Sequence, residues 1–185
     1  DIAVLQYTGG TTGVAKGAML THGNLVANMQ QVHACMLQAS ADGQPLIKEG
    51  QEIMIAPLPL YHIYAFTANC MCMMVTGNHN VLISNPRDIP AFINEMKKWR
   101  FTGLLGLNTL FVALMESPEF KNLDFSGLKI TNSGGTALVK ATAERWKQVT
   151  GCTVVEGYGL TETSPVASTN PYGDGARLGS VGLPV

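Results

Sequence analysis

Residues 128–159, LKITNSGGTALVKATAERWKQVTGCTVVEGYG, contain the clearest indication of the fold class. Its first part, Leu128–Ser133, is predicted to be a strand, and a turn of small residues follows it. The next part, Leu138–Thr150, has the amphipathic pattern of a helix, and Thr153–Glu156 is predicted to be a second strand. A strand, a helix and a strand in this order indicate two parallel strands joined by a crossover helix.

The same alternation extends toward the beginning of the chain. Further strands are predicted at Ile2–Tyr7, Glu52–Ala56, Val81–Ser84 and Thr102–Leu107. Further helices are predicted from Thr21 or Asn24 to about Gln38, over Tyr61–Val75 and Ile89–Trp99, and from a capping Asn108 to about Met115. Because the strands are apolar throughout rather than alternating, both faces of the sheet should be covered. We therefore predict an α/β fold with a mostly parallel sheet and helices on both faces.

Low charge predicts that the chain belongs to a larger domain. Only 14% of its 185 residues are charged, against roughly a quarter in ordinary globular domains, whereas a small independent domain needs a charged surface. We expect residues 1–185 to be a piece of a longer protein. The net charge of −1 gives no indication of a nucleic-acid surface.

Cysteines and hydropathy indicate the compartment. The four cysteines are Cys35, Cys70, Cys72 and Cys152. No pair has zinc-finger spacing, and buried free thiols suit a reducing cytoplasm. The apolar run Tyr64–Val75 is shorter than the roughly 20 residues of a membrane span, so we expect a buried helix there.

Three polar or glycine-rich segments follow predicted strands. They are Gly9–Gly17, Ser133–Thr136 and Gly157–Thr163. In parallel sheets the ligand lies beyond the carboxyl ends of the strands. We therefore predict that the three segments meet at one shared ligand site.

The first of these segments begins at Tyr7 and reads YTGGTTGVAKG to Gly17. Glycines allow backbone N–H groups to approach a ligand, threonines add hydroxyl donors, and Lys16 adds a positive charge. This combination favours polyphosphate binding. A phosphotransferase P-loop requires Gly-Lys-Ser/Thr, and Lys16 here lies between Ala15 and Gly17, which disfavours that class.

Two other segments carry candidate chemistry. In PLPLYHIY, residues 57–64, one histidine, His62, lies among aromatics, and a packed histidine is the alternative to a catalytic one. In EGYGLTETSP, residues 156–165, Tyr158 offers a ring for stacking and Thr161 a hydroxyl for a phosphate. Glu162 supplies a carboxylate of the kind that binds Mg²⁺ together with phosphate oxygens.

These segments, in their order and over the whole chain, resemble the signatures of the adenylate-forming superfamily of acyl- and aryl-CoA synthetases, luciferases and peptide-synthetase adenylation domains. The family's usual serine or threonine after Tyr-Thr is Gly9 here, and its usual proline before the lysine is Ala15. Both departures are similar to the bacterial long-chain fatty-acid–CoA ligases. The resemblance implies that residues 1–185 are a fragment of the AMP-binding N-terminal domain, without the mobile C-terminal domain.

The resemblance also implies a role for individual residues. His62 would organise the acyl pocket near the carboxylate, and Phe66 would gate the acyl tunnel, with a plain core aromatic as the alternative. Glu162 and Thr8 would contact the metal. The implied catalytic residues are Lys16, His62, Thr161 and Glu162. The implied nucleotide-binding residues are Thr8, Gly9, Gly10, Thr11, Thr12, Gly13, Lys16, Gly134, Gly135, Thr136, Glu156, Gly157, Tyr158, Gly159 and Thr161.

The implied reaction is ATP-dependent activation of a long-chain fatty acid to an acyl-adenylate, followed by thioester formation with coenzyme A. Mg²⁺ would be the cofactor, and the isolated fragment is expected to be inactive. A cytoplasmic location is expected, and a fatty-acid substrate suits peripheral association with the inner face of the membrane. The alternatives are an aryl-CoA ligase, a peptide-synthetase adenylation domain and a non-catalytic nucleotide-binding module.

Overall fold

The computed structural model describes residues 1–8, 14–37 and 45–185. The strands are Ile2–Thr8 (β1), Lys16–Thr21 (β2), Ile53–Ala56 (β3), His79–Leu82 (β4), Gly103–Gly106 (β5), Ile130–Ser133 (β6), Val154–Gly159 (β7), Val166–Thr169 (β8) and Leu183–Pro184 (β9). The α-helices are His22–Met36 (α1), Ile63–Ala65 (α2), Cys72–Val75 (α3), Ile89–Met96 (α4), Asn108–Glu116 (α5) and Lys140–Thr150 (α6). A π-helical segment, Phe66–Met71, joins α2 to α3 without a break.

The main sheet has seven strands in the order β4-β3-β5-β6-β7-β8-β9. Neighbours from β4 to β7 are parallel, whereas β8 and β9 extend the sheet with antiparallel pairs. The prediction of a mostly parallel sheet is confirmed. The antiparallel end was not predicted, because Val166–Thr169 and Leu183–Pro184 are too short to show a pattern.

Adjacent residues of the central strands point to opposite faces of this sheet. Ile55 and Leu104 pack with the apolar residues of α4, α5 and α6 around the fully buried Trp146. Met54 and Leu105 pack with α1 and the helical stretch 63–75. Because helices cover both faces of the sheet, β3 and β5 have apolar residues at every position.

The first strand corrects the prediction that it belongs to the parallel sheet. β1 pairs only with β2 among the described strands, antiparallel, with Tyr7 opposite Gly17 and Thr8 opposite Lys16. The inner side of this hairpin packs through Leu20 on Leu25 of α1 and Ile63 of α2. The hairpin therefore packs against the outside of the domain core as a separate two-stranded sheet, and β1 is not a strand of the main parallel sheet.

Helix starts gave one correct and one wrong prediction. Thr21 is the N-cap of α1, and it forms a capping box with Asn24, as the sequence indicates. Asn108 does not cap α5. It is the first helical residue, and its side-chain oxygen accepts from the backbone N–H of Val139 at 3.0 Å. The side chain therefore connects two loops at the same edge of the sheet.

Candidate functional site

One cavity of about 350 Å³ lies at the carboxyl edge of the parallel strands. Its polar wall contains nine of the residues that the sequence singled out: Thr8, His62, Gly134, Gly135, Gly157, Tyr158, Gly159, Thr161 and Glu162. The hairpin, the helical stretch 63–75, and strands β6 and β7 each contribute to it. The prediction that these segments share one site agrees with this placement.

The remaining predicted residues lie elsewhere. Gly9, Gly10, Thr11, Thr12 and Gly13 fall outside the described residues. Lys16, Phe66, Thr136 and Glu156 do not line the cavity. Lys16 begins β2 with an exposed side chain, and its carbonyl oxygen accepts from the Thr8 hydroxyl at 3.3 Å. Phe66 packs on the cluster of Leu20, Leu25 and Ile63, so its gating role stays a prediction.

Glu156 supports the site from behind. One carboxylate oxygen accepts from the backbone N–H of Leu138 at 3.1 Å, and the other accepts from that of Gly179 at 3.1 Å. The side chain thus ties the turn after β6 to the segment that leads into β9. This geometry gives it a bracing role, and direct contact with a nucleotide stays a prediction.

The segment Gly157–Glu162 is more regular than a loop. Gly157–Gly159 continue β7 and pair with β8, and a turn of 3₁₀ helix follows at Thr161–Thr163. An added Cβ on Gly159 would lie 2.3 Å from the carbonyl oxygen of Pro165, so only glycine allows this close approach of the strands. The strand end therefore sets where Thr161 and Glu162 enter the cavity.

A helix of the opposite wall holds this strand pair in place. The side chain of Asn28 on α1 donates from Nδ2 to the carbonyl oxygen of Val166 at 2.7 Å. Its Oδ1 accepts from the N–H of the same residue at 3.0 Å. Asn28 is buried, so both of its polar ends need these partners.

The cavity wall carries oxygen ligands suited to a hard metal ion. Glu162 is exposed, and its carboxylate forms no ion pair with the described residues, while Thr8 offers a hydroxyl oxygen on the same cavity. Residues 1–8, 14–37 and 45–185 contain no group of three or more His, Cys, Asp or Glu placed to hold a metal. One carboxylate and one hydroxyl fit Mg²⁺, which takes most of its ligands from water and phosphate oxygens.

His62 is oriented by the backbone. It is the N-cap of α2, and its Nδ1 accepts from the backbone N–H of Tyr64 at 3.2 Å. Because Nδ1 is the acceptor, the neutral ring carries its proton on Nε2. His62 can therefore offer an N–H donor to an anionic ligand in the cavity.

Gly134 and Tyr64 fit each other closely. A Cβ on Gly134 would lie 3.1 Å from two ring carbons of Tyr64, so the absence of a side chain lets the ring lie against the strand end. The Tyr64 hydroxyl donates to Asn132 Oδ1 at 2.5 Å. Burial raises the pKa of Tyr64, so this hydroxyl keeps its proton at neutral pH.

The other end of the cavity is mostly apolar, and the sequence did not predict it. It is lined by Val32, Cys35, Met36, Ala68, Leu105 and Tyr172. Three of these are on α1 at positions i, i+3 and i+4, which is the spacing of one helix face. That periodicity was visible in the sequence, but it did not distinguish a face that lines a cavity from one that packs in the core.

No helix in the described part of the chain is both long and apolar enough to cross a bilayer.

Comparison with known proteins finds relatives over the whole length of the chain. Residues 1–185 match the protein family described as AMP-binding enzyme. A long-chain-fatty-acid–CoA ligase of Escherichia coli O6:H1 is 51% identical over 185 residues, which are 100% of this chain and 32% of that protein. A protein of the same name from Bacillus subtilis is 37% identical over 186 residues, covering 100% of this chain and 31% of its own length. The chain spans about a third of the length of the curated relatives it matches.

Solved structures resemble the fold as well. ATP-bound MatB from Rhodopseudomonas palustris superposes with a TM-score of 0.82 at 29% identity, over 100% of this chain and 34% of that one. The anthranilate CoA ligase AuaEII in complex with anthranoyl-AMP gives a TM-score of 0.86 at 24% identity, with the same coverage, and bears on the fold alone.

Proposed function

Because the chain belongs to the AMP-binding enzyme family, we propose that the full-length protein is a long-chain fatty-acid–CoA ligase that forms AMP. The observation that carries the proposal is a single cavity with a polar wall at the strand ends and an apolar end beside it. The polar wall suits a nucleotide and a carboxylate, and the apolar end suits an alkyl chain. The relatives named long-chain-fatty-acid–CoA ligase support the same substrate class.

The reaction has two displacement steps. A carboxylate oxygen of the fatty acid attacks the α-phosphorus of ATP, and the bond from that phosphorus to pyrophosphate breaks. The sulfur of coenzyme A then attacks the acyl carbon, AMP leaves with the adenylate oxygen, and the thiol proton is released to solvent. Neither step requires a covalent enzyme intermediate, so positioning and charge stabilisation are the protein's contribution.

We propose that this work is shared by residues of the polar wall and by residues 9–16 of the sequence. His62 Nε2–H is proposed to hold the fatty-acid carboxylate, and Lys16 and residues 9–13 are proposed to bind the polyphosphate. Thr161 and Tyr158 are proposed for the α-phosphate and the adenine. Thr8 and Glu162 would hold Mg²⁺, which when bound offsets the negative charge of the phosphates.

The test is ATP–pyrophosphate exchange by the full-length protein with hexadecanoic acid. Glu162→Gln removes the charge while keeping the shape of the side chain, and we expect the exchange rate to fall about 10²- to 10³-fold. The matched control is Glu144→Gln, since Glu144 is an exposed carboxylate on α6 away from the cavity. An unchanged rate in Glu162→Gln would contradict the assigned role.

The same assay separates the alternatives. An aryl-CoA ligase or an adenylation domain of a peptide synthetase would exchange pyrophosphate with an aromatic acid or an amino acid rather than with hexadecanoic acid. A non-catalytic nucleotide-binding module would bind ATP and exchange with no acid. The apolar end of the cavity, with Val32, Met36 and Leu105, favours the alkyl substrate.

We also propose that the full-length protein acts in the cytoplasm and associates peripherally with the inner face of the membrane, where fatty acids partition. The proposal rests on the substrate class. Sedimentation with phospholipid vesicles, with and without hexadecanoic acid in the bilayer, tests it, and recovery of all protein in the supernatant under both conditions would contradict it.

A further inference from the structure

Three polar side chains interrupt the apolar end of the cavity. Tyr64 donates to Asn132 Oδ1 at 2.5 Å, and Asn132 lines the cavity although it is only 8% exposed. Tyr172 also lines the cavity, and it packs on the same apolar cluster as Tyr64. Burial raises the pKa of Tyr172, and its phenol lies close enough to Asn132 for that side chain to oppose part of the rise. No individual role was predicted from the sequence for any of these three side chains.

In the described part of the chain, the hydrogen-bond donors of these three side chains outnumber the acceptors that they meet. The Asn132 amide carries two N–H donors and the Tyr172 hydroxyl carries one. Within residues 1–8, 14–37 and 45–185 the one hydrogen bond made by these side chains is the one from Tyr64. A contact between Asn132 and Tyr172 would use one of the three donors and leave two. Among the described residues, the cavity wall therefore presents unused donors beside the apolar side chains of Val32, Met36 and Leu105.

Unused donors discriminate between ligands. An unsubstituted alkyl chain lying over them would remove them from water without giving them an acceptor, which weakens binding. An oxygen on the chain would accept from them. Sites that hydrogen-bond a substrate oxygen reject the analogue that lacks it more strongly than apolar pockets distinguish one methylene.

We propose that Tyr64, Asn132 and Tyr172 form an acyl subsite that selects fatty acids carrying a hydroxyl or keto oxygen along the chain. The selection rests on the proposed function, because it concerns the acid that the enzyme activates. Tyr64 orients the asparagine through Oδ1, and Asn132 Nδ2 and the Tyr172 hydroxyl bind the substrate oxygen.

A purely structural role makes a different prediction. The hydrogen bond from Tyr64 to Asn132 also ties the helical stretch 63–75 to β6. If that were its whole purpose, breaking it would lower activity toward all acids by the same factor. A change in the ratio between two acids of equal chain length is therefore the informative measurement.

The experiment compares kcat/KM of the full-length enzyme for hexadecanoic acid and for hydroxyhexadecanoic acids whose hydroxyl is moved stepwise along the chain. We expect wild type to prefer at least one hydroxylated acid by about tenfold or more, the value of one hydrogen bond. Asn132→Leu should abolish this preference, and Tyr64→Phe, which leaves the asparagine unoriented, should reduce it. The control Tyr61→Phe removes a phenol oxygen outside the cavity, from a side chain that is 81% exposed, and should keep the preference.

Two results would overturn the inference while leaving the proposed function intact. One is a wild-type enzyme that activates hexadecanoic acid as well as every hydroxylated acid. The other is an Asn132→Leu enzyme that loses the same factor toward all acids. If Asn132→Leu does not fold, as judged by circular dichroism, Tyr64→Phe decides alone. If wild type activates neither kind of acid, the proposed function fails and the selection fails with it.

Discussion

Gly159→Ala should disable the site without touching a chemical group of the cavity. The new Cβ would lie 2.3 Å from the Pro165 carbonyl oxygen and 2.9 Å from its carbon. Both atoms belong to the backbone, so β7 and β8 must separate by about 1 Å to restore ordinary contact. The hydrogen bond from Leu160 N to that oxygen, now 3.0 Å, would then lie beyond hydrogen-bond reach.

The cost follows from these two changes. Overpacking at a close backbone contact costs about 1–3 kcal/mol, and the lost hydrogen bond about 1 kcal/mol. The larger effect is on catalysis, because the turn Thr161–Thr163 begins at Leu160. A shift of about 1 Å in a catalytic group lowers rates about 10²-fold. We expect that loss in ATP–pyrophosphate exchange, with the secondary structure retained.

The control for this variant is Gly23→Ala. Gly23 lies in the first turn of α1, and its added Cβ would meet only the Thr21 hydroxyl at 3.7 Å, so the exchange rate should not change. Circular dichroism and a urea unfolding curve establish whether each variant is folded at the assay temperature. An exchange rate of Gly159→Ala within about threefold of wild type would refute the geometric reasoning, since a displacement of about 1 Å should lower the rate far more.

Three further predictions concern stability and reactivity. Lys129→Met removes the partner, 2.7 Å away, of the buried Glu52 carboxylate, and it should lower the free energy of unfolding in urea by about 3–5 kcal/mol. Lys98→Met, at an exposed ion pair, should change it by less than about 0.5 kcal/mol, and equal effects of the two variants would contradict a buried-charge mechanism. Asn28→Leu leaves the backbone N–H and carbonyl of Val166 in β8 without their Asn28 partners, so it should lower the free energy of unfolding by about 2–4 kcal/mol. An unchanged urea midpoint would show that the Asn28 amide does not contribute to stability. Burial raises the pKa of Cys72 to about 12, so the thiolate is scarce below that pH. Iodoacetamide should therefore label Cys72 at pH 8 only after denaturation. Labelling of Cys72 in the native protein, mapped by mass spectrometry, would contradict its burial.

The parallel sheet was predictable from the sequence, because strands buried on both faces are apolar at successive positions and alternate with segments of helical pattern. Strands such as Ile53–Ala56 and Gly103–Gly106 are apolar throughout, and helices on each side begin at recognisable caps such as Thr21. The pairing of β1 with β2 was missed, because an apolar strand pattern does not reveal which strand lies beside it. The strand β2 was not predicted, because it begins with Lys16 and Gly17, which look like the end of the glycine-rich loop.

The site was predictable in its polar half and hidden in its apolar half. Glu162 and His62 stand in segments with unusual composition, whereas Val32 and Leu105 look like any core residue. The position of Phe66 shows the same limit. Its periodicity places it on the helix, but which neighbours it meets depends on the hairpin packed over it.

The π-helical segment Phe66–Met71 determines the directions in which the side chains before and after it point around the helix axis. It separates Tyr64, which faces the cavity, from Cys72 and Met73, which face the core. A π-helical turn holds one residue more than an α-helical turn, so the same six residues wound as a continuous α-helix would turn further about the helix axis. That helix would be rotated by about 100° on one side relative to the other. With α3 anchored in the core, the rotation would carry Tyr64 and His62 away from the cavity. The π-helical turn is therefore what allows one continuous helical stretch to direct Tyr64 to the cavity and Cys72 to the core.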